Sequence, residues 1–132
     1  MTIIINKSID IEDEVRFALS STLKAYVRPL PADFETPSIL VELIGGTSEN
    51  LIDTFTVRLS SRAESESDAL DLLRTALGVL EYKAKNQFGF LRFSTEQNLS
   101  NWGNDPVRPD LCLCQATVQV VAHKEQVEIE ES

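Results

Sequence analysis

The feature that most constrains this chain is a change of hydrophobic period. In the segment LIDTFTVRLSSRA, Phe55, Val57 and Leu59 alternate with Thr54, Thr56, Arg58 and Ser60. Near the end of the chain, Cys112, Cys114, Ala116, Val118, Val120 and Ala122 alternate with Leu113, Gln115, Thr117, Gln119 and Val121. A period of two belongs to strands whose two faces meet different surroundings. Between these segments, Ala69, Leu72, Leu73, Ala76, Leu77, Leu80 and Ala84 recur at three and four residues, the stripe of an amphipathic helix. A one-sided strand buries its apolar face only against another layer, and this helix supplies one.

The rest of the chain extends the pattern. From Asp10 to Tyr26, the residues Ile11, Val15, Ala18, Leu19, Thr22 and Tyr26 share a helix face, with Asp10 as N-cap and acids in the first turn. RPLPADFETP, with three prolines, breaks it. SILVELIGG reads as a strand and joins the alternating segment through the polar turn GGTSEN, a hairpin with a longer loop. Ser65 and Asp68 form a variant capping box at the start of the long helix, and Gly89 is placed to end it. FGFLRFSTEQN, with Phe88, Phe90 and Phe93, follows as a further strand. The order helix, two strands, helix, two strands predicts an α+β fold. Its sheet is antiparallel or mixed, of about four strands, with two main helices packed on one face. The 132 residues predict a single domain spanning 1–132, with 1–8 and 124–132 as flexible or strand-edge ends.

Charge and chemistry narrow the function. Twenty-one acidic residues against twelve basic ones give a net charge of −9, which repels phosphate and argues against tight nucleic-acid binding. No apolar run is long enough to span a bilayer, and MTIIINKSIDIEDE lacks the basic start of a signal peptide. Cys112 and Cys114 lie two apart on one strand and read as reduced thiols rather than as a disulfide or metal site. His123 is the single histidine, and G-x-S-x-G, H-E-x-x-H and C-x-x-C are all absent. IGGTSEN lacks the lysine of a phosphate-binding loop and leads into a strand. Glu64, Glu66 and Asp68 suit a helix start, where the dipole accounts for them. The three phenylalanines have no flanking basic cluster and read as core. The expectation is a non-enzyme with no catalytic, cofactor-binding or metal-binding residues.

One segment stands apart. LSNWGNDPVRPDLCLC holds the only tryptophan, within a turn-rich stretch between two strands. Tryptophan and arginine dominate protein-interface hot spots, so Trp102, Asp105, Pro106 and Arg108 are the candidate protein-interface residues. The competing expectation is a tryptophan folded back as a lid on the core.

The layout resembles the small tail-terminator and tail-completion (head–tail joining, or neck) proteins of long-tailed bacteriophages and prophages. The matching features are the acidic first helix, RPLPADFETPSILVELIGG, DTFTVRLSSRA, the helix SDALDLLRTALGVLEYK, and the asparagine-tryptophan-aspartate-proline loop before a terminal strand, together spanning roughly Ile9 to Ala122. The resemblance implies an α+β structural subunit without catalytic residues. Copies would form a ring, commonly six-fold, located in the virion tail or neck after assembly in the bacterial cytoplasm. Its partners would be other copies of itself, the tail tube and head-connector proteins, with no membrane. DNA would pass through the ring without specific binding. The alternative is a small acidic bacterial protein-binding module, an adaptor or immunity-type protein without catalysis. Replacing the tryptophan separates the two roles expected of it. Trp102→Ala lowers the stability of a monomer that buries the ring by about 3–5 kcal/mol. If the ring is an interface anchor, melting is unchanged and association fails; thermal melting and light scattering on one sample read both.

Overall fold

Alternation forces the 52–63 and 112–123 segments to present one apolar and one mostly polar face, and the remaining elements are arranged around that requirement. The computed structural model of the protein describes residues 1–86, 90–95 and 100–132, and the side chains of 1–85 and 103–132. The chain runs β1 (Thr2–Lys7), α1 (Ile11–Ser20), β2 (Ala25–Val27), β3 (Ser38–Glu49), β4 (Ile52–Ala63), α2 (Glu66–Asn86), β5 (Phe90–Thr95), β6 (Ser100–Asn104), β7 (Cys112–His123) and β8 (Glu125–Glu130). The main sheet has the order β2-β3-β4-β7, with β5 and β6 both bonded to the other side of β7. Only β2–β3 is parallel, so the sheet is mixed. β1 and β8 form a separate antiparallel ribbon, Thr2 opposite Glu130 through Lys7 opposite Glu125.

The fold is α+β, as expected, but it has more strands than the four read from the sequence. The additional ones are short or terminal: β2 has three residues, too few to display a period, and β1 and β8 unite the two chain ends. The first helix also stops earlier than Tyr26. Asp10 caps it as expected, its Oδ1 accepting the Asp13 N–H at 3.2 Å. At the other end the Ser20 and Thr22 hydroxyls donate to the Phe17 and Leu19 carbonyls, which closes the helix locally. Tyr26 belongs to β2 instead, opposite Leu40. At the start of α2 the Ser65 Oγ accepts the Asp68 N–H at 3.1 Å, the expected cap. Phe88 and Gly89 lie outside the described residues.

The β3–β4 hairpin replaces the expected long loop with a tight turn. β3 continues through GGTSE to Glu49, which pairs with Ile52 across a two-residue turn. Asn50 takes φ 47°, a left-handed conformation that asparagine tolerates. The register slips between Leu43 and Gly45, and Gly46 then passes so close to β4 that a Cβ would collide with the Thr54 carbonyl oxygen.

The core lies between the sheet and both helices. Phe55, Val57, Leu59 and Ala63 of β4 line it with Cys114, Ala116, Val118, Val120 and Ala122 of β7 and with Ile39 and Val41 of β3. Against them pack Ile11, Val15, Ala18 and Leu19 of α1 and Ala69, Leu73, Ala76 and Leu80 of α2. Ser61, fully buried on this face, donates its hydroxyl to the Ala69 carbonyl at 2.7 Å and so joins the sheet to α2. Gly46→Ala is expected to cost about 1–3 kcal/mol through this backbone collision. Gly45→Ala, where a Cβ meets nothing within 4 Å, is nearly neutral by comparison; chemical denaturation of both variants checks the contrast.

Candidate protein-interaction surfaces

The face of the sheet away from the helices divides into two parts. At one end Ser38, Arg62 and Leu113 lie in one row, and Leu40, Ser60 and Gln115 in the next. This end is covered. Leu40 and Leu113 are buried there, outside the helix-side cluster, as are Phe34 of the proline-rich 28–37 segment and Leu111 of the 105–111 loop. At the other end Thr54, Thr56, Arg58, Thr117, Gln119 and Val121 are half-buried on a flat, mostly polar surface. Arg58 bridges to Glu42 at 3.3 Å on the neighbouring strand.

The 105–111 loop is anchored at one end by the buried Leu111 side chain and at the other by charge. Asp105, 3% exposed, accepts from Arg62 Nε at 2.7 Å and from the Val107 N–H at 2.9 Å. Its backbone N–H donates to the Leu111 carbonyl, and Leu111 N–H donates to the Arg108 carbonyl, closing the loop on itself. The guanidinium groups of Arg62 and Arg108 stand 5.8 and 5.1 Å from the Phe34 ring centre. Burial pushes the Asp105 carboxyl up, but the Val107 N–H and the Arg62 guanidinium outweigh that and hold it below the usual range.

The four residues singled out from the sequence therefore separate. Asp105 is a buried tether. Arg108 is half-buried over Phe34, with an ion pair to Asp110 at 3.6 Å. Pro106 is exposed at the loop tip. Trp102 lies on the backbone of β6, not in a loop, where the register slips between Asn101 opposite Cys114 and Gly103 opposite Leu113. Such a bulge bends an edge strand and interrupts its pairing. The Trp102 side chain lies outside the described residues. Sequence reasoning missed Val107, 84% exposed beside Pro106 and the most projecting apolar side chain of this loop. An aliphatic residue between two prolines carries no periodic signal, so nothing in the sequence marked it.

A second unusual group sits where the ribbon leaves the domain. Asp53 is 2% exposed, and neither of its carboxylate oxygens meets hydrogen-bond geometry with a partner. Burial raises its pKa, yet the nearby Ser8 and Ser48 hydroxyls and the Lys124 ammonium, 3.8 Å away, draw it below the ordinary value. Ser8 follows β1 and Lys124 precedes β8, and the Lys124 N–H also donates to the Leu51 carbonyl. The root of the ribbon is thus fixed electrostatically to the hairpin tip.

A cavity of about 410 Å³ opens at the start of α2, lined by Thr36, Pro37, Ala63, Glu64, Asp68, Asp71, Leu72 and Thr75. Its lining holds carboxylates and hydroxyls but no histidine, lysine or cysteine to activate a nucleophile. His123 is exposed at the end of β7, opposite Ile52, away from this lining. Cys112 and Cys114 are free thiols on the core face, and burial raises the Cys114 pKa, with Glu66 and Cys112 adding to the shift. Among the described residues no group of three or more histidine, cysteine or carboxylate side chains is placed to hold a metal, and no helix is long and apolar enough to cross a membrane. No protein-family model matches the chain, and no curated protein matches it in sequence.

The Arg62–Asp105 pair yields a pH-dependent test. Asp105→Asn leaves the Arg62 charge without its counter-ion and is expected to lower stability by about 3 kcal/mol at neutral pH. Because the folded pKa of Asp105 is depressed, its contribution is complete above the unfolded value near ~4 and is lost as pH falls through the lower folded value. The stability gap between parent and variant should therefore close on acidification, read by urea unfolding at a series of pH values.

Proposed function

We propose that the chain is a structural, non-enzymatic subunit of a long-tailed phage or prophage virion. Copies assemble into a ring that terminates the tail tube or joins the tail to the head, with tail-tube and head-connector proteins as partners. The observation that carries this reading is how much adhesive surface lies outside the core. The β1–β8 ribbon, the hairpin tip with Leu51 and Ile52, and the Pro106–Val107 loop tip all present apolar side chains to solvent, and the outer sheet face is half open. A subunit that repeats head to tail needs distinct patches of this kind, since each copy meets its neighbours through different surfaces. The charged pairs give the same picture: Asp105 with Arg62, and Asp53 with Lys124, brace a loop and a ribbon rather than a reactive centre. The net charge of −9 suits a ring whose lumen lets DNA pass without holding it.

Light scattering after size exclusion, over a wide concentration range and with tail-tube protein added, tests the proposal. The expected result is a discrete multiple of the chain mass, seen as rings in negative stain. A protein that stays monomeric under both conditions, while capturing an unrelated bacterial partner, would overturn it in favour of an adaptor or immunity-type module.

A further inference from the structure

The ribbon has an unusual composition for a piece of chain outside the core. Ile3 faces Ile129 and Ile5 faces Val127, so one side of it is aliphatic up to the charged pair Lys7–Glu125 at its root, while Thr2, Ile4, Asn6, Gln126, Glu128 and Glu130 take the other. Its packing is chiefly with itself, and none of the four aliphatic residues joins the helix-side core or packs against it. Ile129 is 40% exposed. A two-stranded ribbon alone in water is marginally stable, and three strands or a packed layer are needed to hold it. Among the described residues nothing in the chain provides that layer.

The outer face of α2 has a complementary peculiarity. Arg74, Gly78, Tyr82 and Lys85 recur on the side opposite the buried Ala69, Leu73, Ala76 and Leu80. Gly78 is exposed in mid-helix, and a Cβ built there meets nothing within 4 Å. Glycine is the poorest helix former after proline, and among the described residues nothing requires it at that position. A missing side chain at the centre of an exposed face makes room for close approach by another backbone.

We infer that the aliphatic side of the β1–β8 ribbon docks across the Gly78 notch of α2 on a second copy of this chain. The lengths agree: six residue pairs span ~20 Å of ribbon, and Arg74 to Lys85 spans ~17 Å of helix. The charges agree as well. β1, β8 and Glu131 carry four glutamates and one lysine, whereas residues 74–85 carry Arg74, Lys83 and Lys85 against Glu81. The Lys85–Glu81 contact is exposed, at 3.8 Å, and of the kind that holds weakly, so Lys85 is able to turn to a glutamate of the neighbour. Ribbon and notch are different patches on one chain, so the contact is heterologous and repeats from copy to copy. It rests on the proposal of a self-assembling ring and specifies the contact that propagates it.

Gly78→Gln is the decisive variant, because it improves the helix while filling the notch. Sedimentation velocity and thermal melting of the full chain are measured together. The expected result is a melting temperature equal to or above that of the parent, with self-association at least tenfold weaker. Ile3→Thr with Ile129→Thr, which keeps strand propensity but removes the aliphatic side, should weaken association similarly. Glu125→Lys, on the aliphatic side, should weaken it, and Lys85→Glu in the same chain should restore part of the loss. If the parent assembles and Gly78→Gln assembles equally well, the docking is overturned while the ring proposal stands. A parent that remains monomeric up to millimolar concentration, alone and with tail-tube protein added, overturns both.

Discussion

Side chains on a strand point alternately to opposite sides, so two strands paired along their whole length cannot avoid having two faces. β4 and β7 are bonded from Ile52 opposite His123 to Ala63 opposite Cys112, and along that length their sequences keep the alternation in step. A slip of one residue would send Phe55, Val57 and Leu59 to the side that carries Arg58 and Gln115. The position of every other element follows from this pair. Both helices cover the apolar face. The proline-rich segment and the 105–111 loop cover one end of the other face, and along the rest of it, where no described element lies over it, the side chains are mostly polar.

The loops show how a small acidic domain closes a surface without much apolar material. Phe34 fills the space, but the loop across from it is positioned by Asp105, whose two oxygens serve Arg62 and the backbone of Val107 at once. A buried ion pair of this sort is a weak source of net stability and a strong source of uniqueness of geometry, since a displaced loop would leave both charges dry and unpaired. The same holds at the ribbon root. There Asp53 has lost its water without gaining a full set of hydrogen bonds, and Lys124 compensates only partly at 3.8 Å. Buried charge thus marks the two places where chain leaves the layered core, whose interior is mainly apolar.

How much of this was legible beforehand depended on whether a segment carries a period. The stripe from Ala69 to Ala84 and the alternation of β4 and β7 were readable because burial on one side repeats along them. The Asp10 and Ser65 caps were readable because side-chain acceptors occur at few positions of a helix. Tyr26 was misplaced because a helical spacing continued by chance past Ser20, where hydroxyls had already closed the turn. GGTSEN looked like a loop because glycines and polar residues are what turns contain, yet they lie in a ladder where the close approach of Gly46 to β4 needs glycine. The pairing of β1 with β8 was invisible for a different reason: it joins residues about 120 positions apart, and local pattern holds no record of such contacts. Of the interface candidates, Asp105 serves as a buried counter-ion. Its partner Arg62 sits 43 residues away on another strand.

The closure of the chain on itself also bears on how such a subunit would be assembled. A ribbon made from both termini forms only after the intervening chain has been gathered, since bringing distant ends together costs loop entropy that local contacts must first offset. Once formed, it leaves the domain at a root fixed by Asp53, Lys124 and the backbone of Leu51, so its direction is set by the hairpin rather than by its own packing. An arm that is directed but unsupported loses little further freedom when a neighbour covers it, and that is the condition under which a modest apolar area gives useful affinity. Late formation and a fixed root therefore act together. With docking as proposed, the aliphatic side would be completed only when the domain beneath it is folded, which would limit association of incomplete chains through it.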